Sequence, residues 1–267
     1  MVELEWILYF LFLGCFVGFV AGLLGVGGGG ILVPVLTSMF LSLGVPVDNV
    51  VHLALGTSMA CIITTSISSS RAHNKKRAVN WQIVKIMSCG IVLGTFLSTY
   101  VAAYLDSIYL AIFFSLFMCF TATKMLKTHK SYQTRDNLTK KNMLVSSTGI
   151  GAVSALVSIG GGSLTVPYLV SNNIGIKQAI GTSAAIGFPL SLAGTFGYLI
   201  YGWNNEPLMF NSIGFVYVPA VFLISITSFI VAPYGVRASH KLPVNTLKKL
   251  FAFLLVILSL KMLIIVI

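Results

Sequence analysis

The fold of this chain is decided by the stretch Gly25-Val26-Gly27-Gly28-Gly29-Gly30-Ile31-Leu32-Val33-Pro34. Before it, Trp6–Leu24 is long and apolar enough for a membrane helix, whereas Ile31–Leu43 after it is too short to cross a bilayer unaided. A membrane helix can be broken only where protein or a water-filled cavity covers the freed backbone groups. The stretch therefore predicts a turn inside the membrane, and the short helix after it starts near the bilayer midplane.

The composition of the 267 residues also indicates a membrane protein. Hydrophobic residues make up 57% of the chain and charged residues 9%, against about 25% charged residues in soluble domains. So few charges cannot cover so much apolar surface in water, which excludes a soluble enzyme and a disordered chain. The four cysteines lie in apolar runs and form no CxxC pair, so we identify no zinc, redox or other cofactor motif.

Ten apolar segments follow one another along the chain, five on each side of a polar, basic stretch. They are Trp6–Leu24, Ile31–Leu43, Val50–Ser70, Ile83–Leu105, Ile108–Leu126, Met143–Val157, Leu164–Ser171, Ala179–Tyr201, Ile213–Val231 and Leu250–Ile267. We divide the chain accordingly into a first membrane repeat at residues 1–126, a basic linker at 127–142 and a second membrane repeat at 143–267.

The basic residues assign the connecting loops to two sides of the membrane. Loops 71–82, 127–142 and 234–249 carry most of the seventeen Lys and Arg residues, and basic loops stay cytoplasmic. With those loops inside, every Lys and Arg except Lys261 is cytoplasmic and both termini lie outside. The net charge of +11 then reports orientation in the cell inner membrane and not a nucleic-acid partner.

The two halves of the chain repeat each other at three places in the same order. The matching stretches are Val26–Leu36 with Ile159–Leu169, Leu55-Gly56-Thr57-Ser58 with Ile180-Gly181-Thr182-Ser183, and Lys124-Met125-Leu126 with Lys261-Met262-Leu263. Because each half has five membrane segments, the second copy is inverted relative to the first. We therefore predict an all-α polytopic protein with an inverted internal repeat, an arrangement typical of secondary transporters.

The repeated motifs supply the candidate substrate site. The start of a short helix offers free N–H groups and the positive end of the helix dipole, which suit an anion, and nearby hydroxyls can donate to it. Each proline lies a turn into its short helix, where its missing N–H costs least if it falls in the first turn. The candidate substrate-binding residues are Gly27, Gly28, Gly29, Gly30, Pro34, Thr57, Ser58, Gly160, Gly161, Gly162, Ser163, Pro167, Thr182 and Ser183.

Other interpretations of these residues stay open. The glycines could only allow close helix packing, which is our interpretation of Gly14, Gly18 and Gly22, and the hydroxyls could bond to their own helix. A nucleophilic serine would need a base, and the histidine within an apolar segment, His52, lies near an external helix end where we expect it to be solvated.

Missing charges narrow the substrate class. No Asp or Glu lies within an apolar run, so the chain has no obvious carboxylate for a proton relay and no counter-charge for a cation. Neutral donors and helix ends fit a small oxyanion better.

These motifs resemble the TauE/SafE family, also called the sulfite exporter family. The resemblance is carried by the duplicated glycine run with its Val-Pro, by the paired Gly-Thr-Ser motifs, and by Ser70-Arg71-Ala72-His73-Asn74-Lys75-Lys76, which is similar to the family's basic loop. It implies a permease that moves sulfite, organosulfonates or related sulfur-containing anions across the cytoplasmic membrane.

We therefore expect a secondary transporter of a small, sulfur-containing anion, working by alternating access around a midplane site. Its expected partners are the anion and the lipid bilayer. A passive anion channel is the main alternative, and an intramembrane enzyme or a scaffold fits the sequence less well. The sequence leaves the exact substrate, the direction, the coupling ion and the oligomeric state open.

Overall fold

A computed structural model describes residues 4–127, 139–203, 208–241 and 244–266. Ten helices and one short hairpin occupy these residues, which confirms the all-α polytopic class. In chain order the elements are α1 (Leu4–Leu24), α2 (Gly29–Ser42), α3 (Val47–Lys75), α4 (Trp81–Ala103), α5 (Ser107–Lys127), α6 (Lys140–Val157), α7 (Gly162–Ser171), α8 (Ile176–Gly202), β1 (Ser212–Ile213), β2 (Val216–Tyr217), α9 (Val218–Lys241) and α10 (Val244–Val266).

Helix length separates spanning elements from short ones. Helices α1, α3, α4, α8 and α9 are long and apolar enough to cross a membrane. By contrast, α2 has 14 residues and α7 has 10. At 1.5 Å per residue these two are about 21 Å and 15 Å long, short of the roughly 30 Å hydrocarbon core. The two short elements expected after the glycine runs are therefore present.

Two of the predicted loops are mostly helical. Helix α3 continues to Lys75, so the connection to α4 is only residues 76–80, and α9 and α10 occupy most of 234–249. The loop boundaries 71–82 and 234–249 were thus wrong, because basic residues mark where a helix meets water and not where it ends. Residues 128–138 of the predicted linker lie outside the described residues.

Most helices pack mainly against helices of the other half. Helix α1, the first of its half, packs along α9, the fourth of the other half, while α6 packs along α4 in the same way. The third helices α3 and α8 pack on each other, as do the fifth helices α5 and α10. These four contacts between the halves are therefore symmetric, although the opposite orientation of the halves in the bilayer stays a prediction.

Glycines bring the exchanged helices close together. A Cβ added at Gly14, Gly18 or Gly22 of α1 would collide with α9, at Ile224, Ser228 and Ala232 respectively. Gly90 and Gly94 of α4 meet α6 in the same manner. The packing interpretation of the α1 glycines is confirmed, since small residues let membrane helices approach to backbone contact.

Candidate functional site

The two glycine turns lie against each other. The backbone N–H of Gly160 donates to the carbonyl oxygen of Val26 at 2.9 Å. A Cβ added at Gly29 would overlap the carbonyl oxygen of Ser158, and one at Gly27 would lie 2.8 Å from the Cα of Gly160. We call this contact region, residues 25–30 with 158–163, the glycine junction. The structure thus brings together two stretches that are more than 120 residues apart in sequence.

Both short helices begin in the same way at the glycine junction. The residues that precede them, Gly28 and Gly161, have φ values of 82° and 78° and so adopt the left-handed conformation that favours glycine. Each then leads directly into a helix whose first N–H groups have no partner within the helix. The helix starts are therefore two donor-rich, electropositive ends inside the protein.

The prolines lie just over one turn into the short helices. Pro34 and Pro167 are each the sixth residue of their helix, beyond the first turn. The missing N–H is therefore not in the first turn, the position at which its loss would cost least. A helical N–H at this position would bond to the carbonyl four residues earlier, so the carbonyls of Gly30 and Ser163 lose that partner.

The first Gly-Thr-Ser motif holds a segment of the other half. A Cβ at Gly56 would overlap the carbonyl oxygen of Phe215, so the glycine lets this backbone lie directly on α3. Two residues later, the backbone N–H of Tyr217 donates to the Thr57 hydroxyl oxygen at 3.0 Å. The motif therefore fixes the chain just before α9 begins.

The second motif repeats these contacts on the first half. A Cβ at Gly181 would overlap the carbonyl oxygen of Ala78, and the backbone N–H of Asn80 donates to the Thr182 hydroxyl oxygen at 2.9 Å, just before α4 begins. Both threonines are fully buried. They have a packing role in the structure, and direct contact with a substrate stays a prediction for them.

The serines of the two motifs differ. Ser183 donates its hydroxyl to the carbonyl oxygen of Gly25 at 3.2 Å, which ties α8 to the first glycine turn. Ser58 is equally buried, yet its hydroxyl finds no partner among the residues that the structure describes. Of the serines in the two Gly-Thr-Ser motifs, Ser58 is the one whose hydroxyl has no partner in the described chain.

Further unused hydroxyls lie at the second glycine turn. Ser163 and Thr165, in the first turn or so of α7, have buried hydroxyl oxygens without a partner in the described parts of the chain. The Ser66 hydroxyl of α3 is also unpartnered in the described chain and lies near the same turn. The Cβ position at Gly187 is 2.6 Å from this hydroxyl and 3.2 Å from the carbonyl oxygen of Gly160.

Sequence reasoning identified Ser163 but missed Thr165 and Ser66. We took repetition as the signal, and the residue that matches Thr165 in the first half is Leu32. Ser66 follows Ser58 by eight residues on the same face of α3, and helical periodicity could have identified it.

His52 has a structural place away from the glycine junction. Its Nε2 lies 3.0 Å from the carbonyl oxygen of Ala102, which can only accept, and its Nδ1 lies 3.3 Å from the hydroxyl of Ser107. The imidazole therefore fastens α3 to the connection between α4 and α5. With 4% of its surface exposed, His52 is buried and not solvated as we expected.

An apolar crevice of about 590 Å³ lies between α1, α2 and α10. Its lining includes Trp6, Phe12, Phe16, Val35 and Leu258. Such a surface suits a lipid acyl chain and offers an anion little, so we keep the glycine junction as the candidate site.

Comparison with known proteins agrees with this architecture. The family model described as "Sulfite exporter TauE/SafE" matches residues 10–262. A "Probable membrane transporter protein" of Haemophilus influenzae is 39% identical over 257 residues, covering 96% of this chain and 97% of that protein. A relative of the same description in Methanocaldococcus jannaschii is 28% identical over 252 residues, covering 94% and 92%. No solved structure matches the chain.

Proposed function

This chain belongs to the sulfite exporter TauE/SafE family, and from that premise we propose that it is a secondary transporter of a small, sulfur-containing oxyanion. Its relatives are named as probable membrane transporter proteins, and membership of this family implies a membrane-embedded protein with a small-molecule substrate. Sulfite, an organosulfonate or a related anion is our proposal for the molecule moved. A transporter of this kind has no need of a catalytic residue.

The observation that carries the proposal is the set of unused donors at the glycine junction. The hydroxyls of Ser66, Ser163 and Thr165 are buried without partners in the described chain and lie at or beside the start of α7. A buried hydroxyl that stays unpaired is costly, by about 1–3 kcal/mol, and a bound ligand or water normally relieves that cost. Three hydroxyls beside a helix N-terminus are the donors that an oxyanion requires.

The charge balance around the junction favours an anion over other substrates. Helices α2 and α7 both direct their positive dipole ends at it. No acidic side chain occurs in either short helix or in the Gly-Thr-Ser motifs. A cation placed there would face helix ends of its own sign. We therefore propose that the glycine turns bind the substrate through backbone N–H groups, with Ser58 as a further donor.

The way the halves are joined supports our proposal of alternating access. The glycine turns meet at one contact region, and each Gly-Thr pair holds the other half just before its fourth helix. We propose that the halves rock around this region, so that the site opens to each side in turn. The sequence has no nucleotide-binding loop of the P-loop type, so a substrate or ion gradient would drive the movement.

A flux assay in proteoliposomes tests the proposal. Purified protein is reconstituted and offered labelled sulfite, thiosulfate, a sulfonate and a carboxylate. We expect saturable uptake of at least one sulfur-containing anion, together with accelerated exchange when the same unlabelled anion fills the liposome. Exchange of this kind would exclude a passive channel, whereas failure to carry any of the four anions would contradict the proposal.

Two variants of α7 test whether the transported anion binds at the glycine junction. Thr165→Val removes an unused hydroxyl from α7 and should raise the concentration for half-maximal uptake about tenfold, since one hydrogen bond to a charged group contributes roughly 1.5–3 kcal/mol. Ser171→Ala at the other end of α7 is the control, because its hydroxyl already donates to the carbonyl oxygen of Tyr168 at 2.8 Å. Equal effects of the two changes would place the substrate elsewhere.

A further inference from the structure

One face of α3 carries a row of buried polar atoms without partners. The atoms are Ser58 Oγ, Ser66 Oγ, Ser69 Oγ and His73 Nδ1, all unpartnered among the residues the structure describes. Spacings of eight, eleven and fifteen residues from Ser58 place the four side chains on one side of a helix. The row starts at the Gly-Thr-Ser motif and ends next to the basic residues that follow α3.

The equivalent face of α8 has no such row. Counting the same spacings from Ser183 leads to Ser191, Gly194 and Tyr198. Ser183 and Ser191 donate to carbonyl oxygens, at 3.2 Å and 3.1 Å, and Gly194 has no side chain. Of these two matching faces, the one on α3 therefore carries the unpartnered polar groups and the one on α8 does not.

The ends of these two faces are closed by equivalent contacts. His73 Nε2 lies 3.3 Å from the carbonyl oxygen of Gly22 in α1, and the Tyr198 hydroxyl donates to the carbonyl oxygen of Ala155 in α6 at 3.2 Å. His73 follows Ser58 by fifteen residues, and Tyr198 follows Ser183 by the same number. The two carbonyl groups also correspond, because Gly22 and Ala155 each lie four residues before the aligned pair Val26 and Ile159. In both halves, the third helix is therefore fastened to the first helix by the same pair of positions.

We infer that the polar face of α3 from Ser58 to His73 is one half of the substrate path, that His73 closes it, and that Tyr198 closes the opposite half. This inference rests on the proposed function, because a path has meaning only if the glycine junction binds a transported molecule. Polar atoms that lack partners in the closed protein would bind water or substrate once the His73 contact opens.

The surroundings of His73 suit the mouth of an anion path. The ring of His240, from α9, lies 5.7 Å from that of His73, and its Nε2 is also unpartnered in the described chain. Lys76 and Lys177 lie close enough to His240 for their charges to act on it. These groups come from α3, α8 and α9, so three helices contribute positive charge or donors to one mouth. Positive charge at a mouth raises the local concentration of an anion.

Cysteine labelling tests the path without any substrate. The native Cys15, Cys61, Cys89 and Cys119 are replaced by serine or alanine, and Ser69→Cys serves as the reporter inside the path. A membrane-impermeant thiol reagent is then added to vesicles of each orientation. We expect His73→Ala to speed labelling at least fivefold from the side that carries Lys76, and Tyr198→Ala to leave that rate unchanged.

A rescue variant and a control variant distinguish opening of the path at His73 from a general loss of helix packing. His73→Gln keeps a side-chain donor for the Gly22 carbonyl and should restore slow labelling. A rate that is the same with and without His73→Ala, or that rises equally with Tyr198→Ala, would overturn the inference. Gel filtration in detergent establishes that each variant is folded.

A second measurement covers the case in which His73→Ala does not fold. Ser69→Val replaces an unpartnered hydroxyl with an apolar group and should slow anion flux at least tenfold while the protein stays as stable as the parent. The control is the neighbouring Ser70→Val, because the Ser70 hydroxyl already donates to the carbonyl oxygen of Ile67 at 3.1 Å. Equal flux in both variants would overturn the path, whereas a positive labelling result with no flux of any tested anion would contradict only the proposed substrate.

Discussion

Gly160 donates its backbone N–H to the carbonyl oxygen of Val26 at 2.9 Å, and this bond joins the two glycine turns of the protein. The two residues belong to different halves of the chain. Around the bond, the backbones approach so closely that side chains are excluded at Gly27, Gly29 and Gly162. The glycine junction is therefore a contact between backbones, and its shape depends on residues that have no side chain.

The first prediction concerns this close approach. Gly29→Ala would place a methyl group on the carbonyl oxygen of Ser158, and relief of such a collision costs about 1–3 kcal/mol. We expect the apparent melting temperature in detergent to fall by roughly 2–12 °C, on the scale of 2–4 °C per kcal/mol. Gly149→Ala in α6 is the control, because no atom lies within 4 Å of its Cβ position and alanine favours a helix. A junction variant as stable as this control would contradict the close contact.

The second prediction concerns the two motif threonines. Thr57→Val would leave the buried N–H of Tyr217 without its acceptor, at about 1–3 kcal/mol. Thr182→Val would remove the acceptor of the half-buried N–H of Asn80 and should cost less, about 1 kcal/mol. Thr57→Ser keeps the oxygen and should cost less. Thermal unfolding in the absence of any anion measures the effect. Threonines that served only the substrate would instead change affinity and leave the unliganded protein's stability intact.

The third prediction uses the difference between the two serines. Ser183→Ala removes a hydrogen bond to Gly25 and should lower stability by about 1 kcal/mol. Ser58→Ala removes a hydroxyl that has no partner in the described chain, so stability should stay level or rise while uptake of the anion weakens. Paired melting and uptake curves check both statements, and a loss of stability in Ser58→Ala with unchanged uptake would refute the role we give to Ser58.

Some features of the structure could be predicted from the single sequence and others could not. Short apolar segments after the glycine runs predicted the short helices α2 and α7, because segment length alone decides whether a helix can span. The partners of Thr57 and Thr182 could not be predicted, since each bond joins residues at least 100 positions apart and depends on how the halves pack. Helix ends near Lys75 and Lys241 were misplaced because charge indicates the water boundary only.

The fourth prediction concerns orientation in the membrane. We expect the basic loops to lie in the cytoplasm, because Lys and Arg near membrane segments tend to stay there, and this arrangement would put both termini on the external side. An epitope tag fused to either end should bind antibody on intact cells or right-side-out spheroplasts. A tag that becomes accessible only after the membrane is permeabilised would reverse the orientation.

The binding of an anion at the glycine junction is the central claim, and a structure determined with selenite, a heavier analogue of sulfite, tests it most directly. The anomalous scattering of selenium locates the bound ion independently of how the protein density is interpreted. We predict one peak at the junction, within hydrogen-bonding distance of the start of α7 and of the Ser163 or Thr165 hydroxyl, and its loss in Thr165→Val. A peak elsewhere, or none at a selenite concentration that competes with transport, would contradict the claim.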